Sequence, residues 1–306
     1  MFNAMPPQGQ DTPPSDRGPN RRPMQTIQHH TPENAGAAAI GPLAQARHLL
    51  LDLDGTLVRQ NEAIDGAAEL LERFEGRFAI VSNNSTHTAQ GLSLRLRRLG
   101  LHVPPQRIVL AGELAVRWLA RRHPGAHVLM VGSTVLQRHA RALGCTLVRA
   151  DADVVLLALD MRFSHARLAA VANELLRGAR LVVTNADVSH PGPQGRVVPE
   201  TGALLAAVTA ASGVRPWRVI GKPAPLLFEE GLRCLGADAA STVVVGDNPA
   251  TDAAGAARLG MACVLVGGVA GAVAPTVAGL LAPRRPGPAG TAAPGVPAEA
   301  ASLSTA

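Results

Sequence analysis

Two aspartates stand where an apolar segment of the chain meets a turn. Asp52 and Asp54 lie two residues apart in DLDGTLV, and Gly55 follows them. Residues two apart on an extended strand share one side, so both carboxylates are expected to face the same cleft. An EF-hand calcium loop does not fit, because its twelfth position carries a glutamate and here that position is Ala63.

A second acidic pair lies far along the chain. Asp247 and Asp252 occur in VVVGDNPATD (243–252), where Gly246 and Pro249 predict a turn. Hard divalent cations take oxygen ligands, and Mg²⁺ often uses only one or two carboxylates besides water and phosphate. The spacing of this pair therefore favours a magnesium site.

Lys222, in VIGKPAP (219–225), is the only lysine in the chain, because 28 of the 29 Lys+Arg residues are arginines. A surface lysine is disfavoured here, since arginine carries the positive charge everywhere else. Pro223 and Pro225 restrict the chain that follows. A compact ammonium can approach a carboxylate and a phosphate together, whereas the planar guanidinium is wider. Lys222 is therefore a candidate site residue.

Ser82 opens the polar segment SNNST (82–86), between a predicted strand and a predicted helix. At such a junction a hydroxyl and free backbone N–H groups can bind a phosphoryl oxygen. The alternative is that Ser82 caps the helix, and the sequence leaves both interpretations open.

Apolar runs alternate with segments of helical spacing along the middle of the chain. Continuous runs of Val, Ile and Leu indicate strands that are buried on both faces, and intervening helices indicate a parallel α/β sheet. Ligands bind outside the carboxyl ends of such strands, so the polar residues above are expected along one edge. Nine strands are predicted within residues 48–54, 77–84, 107–113, 127–132, 153–160, 180–187, 217–222, 241–248 and 262–268. Helices are predicted within residues 66–74, 88–99, 112–122, 134–143, 165–177 and 201–212.

In this order, the four polar segments resemble the four motifs of the haloacid-dehalogenase-like hydrolase superfamily, over roughly residues 46–268. The segments DGAAELL, SNNST, VTNAD, PETGAL, GKPAP and GDNPATD are similar to its subfamily IIA. That branch includes pyridoxal-phosphate, phosphoglycolate, nitrophenyl-phosphate and nucleotide phosphatases. The chain departs from the pattern at Glu200, where many members have glycine.

The resemblance implies a Mg²⁺-dependent phosphatase that hydrolyses a small phosphate monoester. Asp52 would be the nucleophile that takes the phosphoryl group as an aspartyl phosphate. Asp54 would protonate the leaving oxygen and then activate water. Mg²⁺ would be held by Asp52, by the backbone carbonyl of Asp54, by Asp247 and by Asp252.

The resemblance also implies a set of polar residues around the substrate. Lys222 would offset the charge of Asp52 and the phosphate. Asn185 and Asp187 lie at a predicted strand end that points back to the core. The predicted phosphate and substrate contacts are Ser82, Asn83, Asn84, Lys222, Asn185 and Asp187. Asp160, His190 and Glu200 are weaker candidates without an assigned role.

The spacing of the motifs predicts where a cap domain is inserted. Only 27 residues separate Asp54 from Ser82, whereas Lys222 lies 140 positions after Ser82. The second gap leaves room for an α/β cap of the C2 type that excludes water and selects the substrate. The predicted organisation is a Rossmann-like parallel-sheet core of residues 41–123 and 203–270, an inserted α/β cap of residues 124–202, and flexible tails of residues 1–40 and 271–306.

The composition excludes several other kinds of protein. Aromatic residues make up only 2% of the chain, which disfavours a nucleic-acid surface built on base stacking. The net charge of +6 is spread along the chain and favours a small anionic ligand over a polyanion. Three cysteines without close spacing, no apolar signal segment and no apolar run of 18 residues predict a cytoplasmic protein that does not enter membranes.

Other functions on the same fold remain open from the sequence. One is a phosphate-ligand-binding or regulatory protein without turnover, and another is a phosphomutase or phosphotransferase. The second aspartate disfavours a dehalogenase, which needs no acid for its leaving group. The expected partner is a small phosphorylated metabolite, whose identity the motifs do not give, and a homodimer is possible.

Overall fold

The structure, a computed structural model, describes Leu43, residues 46–192, Gln194 and residues 196–281. Its strands form two parallel sheets and two short antiparallel pairs. In this part of the chain the strands are β1 (His48–Leu51), β2 (Val58–Arg59), β3 (Glu62–Ala63), β4 (Phe78–Ser82), β5 (Ile108–Leu110), β6 (His127–Val131), β7 (Thr146–Val148), β8 (Val154–Leu157), β9 (Arg180–Val183), β10 (Ser189–Pro191), β11 (Val197–Pro199), β12 (Arg218–Val219), β13 (Thr242–Gly246), β14 (Ala262–Val266) and β15 (Ala272–Ala274). The α-helices are α1 (Ala67–Arg73), α2 (Ala89–Arg98), α3 (Ala111–Arg122), α4 (Thr134–Ala142), α5 (His165–Leu176), α6 (Thr201–Ser212), α7 (Pro225–Leu235), α8 (Ala254–Arg258) and α9 (Ala278–Leu281).

The first sheet has six parallel strands in the order β15–β14–β13–β1–β4–β5. Its central strand β1 is apolar at successive positions because both faces of the sheet are covered. Leu49 and Leu51 pack with α1 and α2 on one face. Leu50 packs with α3 and α7 on the other. All three leucines are fully buried.

The second sheet has five parallel strands in the order β12–β9–β8–β6–β7. Helices α5 and α6 cover one of its faces through residues such as Val171 and Val208. Helix α3 joins the two sheets, because its buried Val116 belongs to one apolar cluster with Leu50 of β1 and Leu156 of β8. The two sheets therefore share a continuous core across this helix.

The predicted α/β class is confirmed. Each of the nine predicted apolar runs contains a strand, and each predicted helix is present. The sequence analysis did not predict β7 at the edge of the second sheet or the β10–β11 pair. Among the described residues, no helix has the length and apolar character needed to cross a bilayer.

The structure corrects where the second sheet ends. Strand β12, predicted as part of the core sheet, instead pairs with β9. The preceding helix α6 packs against α5. The second sheet and its helices therefore extend to Val219, beyond the predicted boundary at residue 202. An apolar run predicts a strand but not the sheet that the strand joins, because the run carries no information about its partner.

The predicted C-terminal tail is also corrected at its start. Residues 272–281, expected to be flexible, form β15 and α9. Val277 and Leu280 are buried in the core cluster beneath the first sheet. Ala278 approaches Gly66 so closely that a β-carbon at Gly66 would lie 2.4 Å from the Ala278 Cα. Small residues make this packing possible. The predicted tail of residues 1–40 and residues 282–306 lie outside the described part of the chain.

Candidate active site

Three neighbouring strands of the first sheet bring the candidate residues to one edge. Asp52 follows β1, Asp247 follows β13 and Ser82 ends β4. β1 pairs in parallel with both other strands, so their carboxyl ends meet. The backbone N–H of Asp52 donates to the carbonyl of Val245 at 2.8 Å, which extends this pairing up to the candidate nucleophile.

Lys222 reaches this edge from outside the sheet. Its Nζ lies 2.5 Å from Oδ1 of Asp52 and 2.7 Å from Oδ1 of Asp252. The Lys222 side chain is 3% exposed and that of Asp252 is 1% exposed. Burial disfavours the charged ammonium, but Asp252 and Asp52 outweigh this effect and raise the pKa of Lys222. The lone lysine is therefore a charged group between two carboxylates.

The two carboxylate oxygens of Asp252 have different partners. Oδ1 pairs with the ammonium of Lys222, and Oδ2 accepts a hydrogen bond from the backbone N–H of Asn248 at 3.1 Å. Asp252 lies in the π-helical turn Pro249–Ala253 that follows β13. Sequence analysis placed Asp252 as a further metal ligand, and the structure adds a direct ion pair with the lysine.

Thr56 is a site residue that sequence analysis missed. Its Oγ1 donates to Oδ2 of Asp52 at 3.2 Å, and Thr56 is fully buried. The signal was its position directly after Gly55, because the turn there brings residue 56 back toward Asp52. Thr56 and Lys222 thus bind different oxygens of the same carboxylate and fix its orientation.

The carboxylates of Asp52, Asp247 and Asp252 each offer an oxygen, and these oxygens lie within 4.8 Å of one another. Burial raises the pKa of Asp52 to about 8; Lys222 opposes this shift, and Asp252 and Asp247 add to it. Burial and Asp252 likewise raise the pKa of Asp247 to about 6. These three carboxyl groups lie near the single ammonium of Lys222, and every candidate metal-ligating atom is an oxygen. A hard divalent cation such as Mg²⁺ fits this charge and this donor set.

Two glycines allow the carboxylates to lie this close to the backbone. A β-carbon at Gly55 would lie 1.9 Å from Oδ2 of Asp247, and the φ angle of Gly55 is +92°. A β-carbon at Gly246 would lie 2.3 Å from Cγ of Asp252. Gly55 therefore serves two purposes: it allows the turn after Asp54, and it leaves room for the side chain of Asp247.

Asp54 lies on the open side of the site and is exposed to solvent. The backbone N–H of Gly55 donates to the carbonyl of Val58 at 2.8 Å, which closes the turn that carries it. The surrounding protein limits hydration of the Asp54 carboxyl and raises its pKa, while Arg95 and Lys222 act in the opposite direction. A carboxyl group on the open side of the site can serve as a general acid toward a leaving oxygen.

Ser82 is buried at the end of β4, and its Oγ accepts a hydrogen bond from the N–H of Asn84 at 3.2 Å. The alternative that Ser82 caps the following helix is wrong, because Thr88 is the N-cap of α2 and accepts from the N–H of Gly91. Asn84 instead orders the intervening loop, since its Oδ1 accepts from the N–H of Thr86 at 3.1 Å. The Ser82 hydroxyl keeps a hydrogen that it can donate.

Asn83, Asn185 and Asp187 also come together, but they bind one another and the backbone around Lys222. The weaker candidates form separate pairs. Asp160 pairs with Arg167. Nδ1 of His190, on the β10–β11 pair, lies 2.8 Å from Oε1 of Glu200.

Comparison with known proteins places this geometry in a family. A sequence model described as haloacid dehalogenase-like hydrolase matches residues 49–146, and one described as HAD-hydrolase-like matches residues 219–277. The chain is 34% identical over 220 residues to the dihydroxyacetone phosphatase of Corynebacterium glutamicum, covering 71% of this chain and 79% of that protein. This chain belongs to the haloacid dehalogenase-like hydrolases.

Solved structures of phosphatases also resemble this hydrolase. The p-nitrophenyl phosphatase from Archaeoglobus fulgidus is 30% identical, with a TM-score of 0.68 over 72% of this chain and 86% of that one. The glycerol phosphate phosphatase from Mycobacterium tuberculosis, solved in complex with magnesium, is 32% identical, with a TM-score of 0.67 over 73% of this chain and 68% of that one. The family and the α/β fold predicted for this hydrolase are confirmed.

Proposed function

We propose that this hydrolase is a Mg²⁺-dependent phosphatase that cleaves a small phosphate monoester through an aspartyl-phosphate intermediate. The observation that carries the proposal is the Asp52 carboxylate, oriented by Lys222 and Thr56 at the carboxyl edge of a parallel sheet. The phosphatase relatives support the same reaction.

In the first step an Asp52 oxygen attacks phosphorus, and the bond between phosphorus and the leaving oxygen breaks. Asp54 gives its proton to that oxygen, so the alcohol leaves uncharged. In the second step Asp54, now ionised, takes a proton from water. The resulting hydroxide attacks the phosphorus of the aspartyl phosphate, releases inorganic phosphate and restores Asp52.

The charged residues around Asp52 stabilise the phosphoryl group during both steps. Lys222 and the Ser82 hydroxyl would donate to its oxygens. Asp52, Asp247, Asp252 and the Asp54 backbone carbonyl would hold Mg²⁺, which neutralises phosphate charge when bound. The raised pKa of Asp247 supports this assignment, because it reflects burial and the nearby charge of Asp252, both of which a bound cation would offset.

We further propose that the second sheet is a cap that closes over the cleft and excludes water. The substrate is proposed from the relatives, whose names include dihydroxyacetone phosphatase and glycerol phosphate phosphatase. Small three-carbon phosphates are therefore the first compounds to assay.

A cytoplasmic location is proposed from three free cysteines, and a homodimer remains a proposal from the sequence.

The test is release of phosphate from p-nitrophenyl phosphate and from three-carbon phosphates, with Mg²⁺ and with EDTA. Asp52→Asn should abolish turnover, while the exposed Asp65→Asn should behave as the wild type. In Asp54→Asn, acid-quenched protein should gain the mass of one phosphoryl group on the peptide containing Asp52. Wild-type protein that releases no phosphate from any compound, or Asp52→Asn with normal turnover, would contradict the proposal.

A further inference from the structure

Asn83 follows the strand that ends in Ser82, and its side chain binds the backbone on both sides of Lys222. Its Oδ1 accepts from the N–H of Lys222 at 2.7 Å, and its Nδ2 donates to the carbonyl of the same residue at 3.1 Å. The amide thus makes the pair of bonds that a neighbouring strand would make. Lys222 is held by its backbone at this point and by Asp52 at the other end of its side chain.

The same amide reaches a second segment that comes down from the second sheet. Nδ2 of Asn83 donates to Oδ2 of Asp187 at 2.9 Å, and the Asn83 carbonyl accepts from Nδ2 of Asn185 at 2.8 Å. The two segments run side by side, because the N–H of Gly221 donates to the carbonyl of Thr184 at 2.7 Å. Asn83 therefore joins the loop after β4 to the segment that follows β9 and to the segment that leads from β12 back to the first sheet.

The close approach at Gly221 supports this role independently. A β-carbon there would lie 2.4 Å from Oδ1 of Asn83 and 2.7 Å from the carbonyl oxygen of Thr184. Any other residue would force Asn83 and the Lys222 backbone apart. The position of the Asn83 side chain thus requires a glycine at residue 221, although the two residues lie far apart in the sequence.

The side chain of Asn83 has no donor left for a phosphate. An amide group has two N–H donors and one oxygen, and here both donors and the oxygen have partners. Binding a phosphoryl oxygen would break the bond to Asp187 or the bond to Lys222. The sequence-based expectation of phosphate contact can be met at this residue only by its backbone N–H.

We propose that Asn83 is a positioning residue that fixes Lys222 at the reaction centre through paired bonds to its backbone and anchors the segment carrying Asp187. This inference rests on the proposed phosphatase function. It differs from that function in its consequence: the side chain of Asn83 governs the rate of the chemical step and not the affinity for phosphate.

The test is a charge exchange between positions 83 and 187. Asn83→Asp places two carboxylates where the Nδ2–Oδ2 bond was, so it should lower kcat for p-nitrophenyl phosphate by about tenfold or more. KM and the inhibition constant of inorganic phosphate should stay within about twofold, because no substrate contact is lost. The double variant Asn83→Asp, Asp187→Asn restores a donor opposite an acceptor and keeps the bond from the Lys222 N–H, but a carboxylate oxygen still faces the Lys222 carbonyl.

The double variant should therefore gain kcat over Asn83→Asp but stay at least about threefold below the Asp187→Asn reference, because the bond to the Lys222 carbonyl is still missing. No gain over Asn83→Asp, a kcat in the double variant equal to that of the Asp187→Asn reference, or a rise in KM and in the phosphate inhibition constant with unchanged kcat in Asn83→Asp would overturn the proposal. Asn83→Ser removes the amide without adding a charge and gives the same comparison if Asn83→Asp does not fold. Should the wild type show no phosphatase activity, coupling between the two positions in thermal unfolding still decides whether this contact exists.

Discussion

Lys222 gives the sharpest test of the site, because its single ammonium is the ion-pair partner of two buried carboxylates. Lys222→Met keeps most of the side-chain volume but leaves Asp52 and Asp252 without their cation. Removing one partner of a buried ion pair costs about 3–5 kcal/mol of unfolding free energy. For a domain of this size, 1 kcal/mol corresponds to about 2–4 °C, so we expect the melting temperature to fall by about 6–20 °C without Mg²⁺.

The pH dependence of this loss follows from the carboxylates. Burial raises the pKa of Asp52 to about 8 even with the lysine present, and removal of Lys222 raises it further. Below about pH 8 the Asp52 carboxyl of the folded variant is therefore protonated and no longer needs a cation. The destabilisation should therefore be largest near pH 8–9 and should shrink as the pH falls toward 5.

The activities of two variants at position 222 separate the effect of the positive charge from the effect of side-chain shape. Loss of one charge-stabilising donor lowers kcat by about 10²–10³-fold, which is the loss expected for Lys222→Met. Lys222→Arg keeps the charge, but a wider group must enter a site where the side chain is 3% exposed, at a cost of about 1–3 kcal/mol. It should remain more stable than Lys222→Met and still lose most of its turnover.

The assays are differential scanning fluorimetry at pH 5 and pH 8 and the rate of nitrophenol release with Mg²⁺. Arg233→Met is the matched control, because Arg233 pairs with Glu230 at the surface, where its side chain is 66% exposed. A surface pair of this kind contributes about 1 kcal/mol at most. If Lys222→Met melts no lower than Arg233→Met, or if Lys222→Arg turns over normally, the account of the lone lysine is wrong.

Three further outcomes are expected. Gly246→Ala should lower kcat at least tenfold, because its β-carbon would displace Asp252, whereas Gly268→Ala, with open space around it, should behave as the wild type in the same assay. The Mg²⁺ concentration for half-maximal activity should rise as the pH falls below about 6, since protonation of Asp247 removes a ligand, and a constant value from pH 5 to 7 would contradict this. Glu174→Ala should lower the unfolding free energy by about 1–3 kcal/mol in urea titrations, because it leaves the N–H groups of Asp151 and Ala152 without their acceptor, and an unchanged midpoint would refute this.

Much of the fold was predictable because its strands are buried on both faces. Runs such as LLL in β1 have no polar position, and only a sheet covered on both sides accommodates them. The candidate site was predictable for a related reason. Asp52, Ser82 and Asp247 each stand directly where such a run ends, and parallel strands bring those ends together.

The single lysine was recognisable from composition, but its neighbours were not. Lys222 follows β12, a strand of the second sheet, and reaches the first sheet only through the segment that connects them. Its pairing with Asp252 spans 30 residues, and its bonds to Asn83 span 139. Contacts at such separations depend on chain topology, which local patterns of hydrophobicity do not specify.

The sequence by itself determined which residues carry the chemistry, because carboxylates, a hydroxyl and one ammonium were placed at the ends of apolar runs. Tertiary structure decided how they are used. In the folded protein Asn83 hydrogen-bonds to the backbone of Lys222, and Thr56 hydrogen-bonds to the proposed nucleophile Asp52. Residues 272–281 pack into the core. The reason is physical: a side chain's role depends on which donors and acceptors the fold leaves free, and that is settled only when distant segments meet.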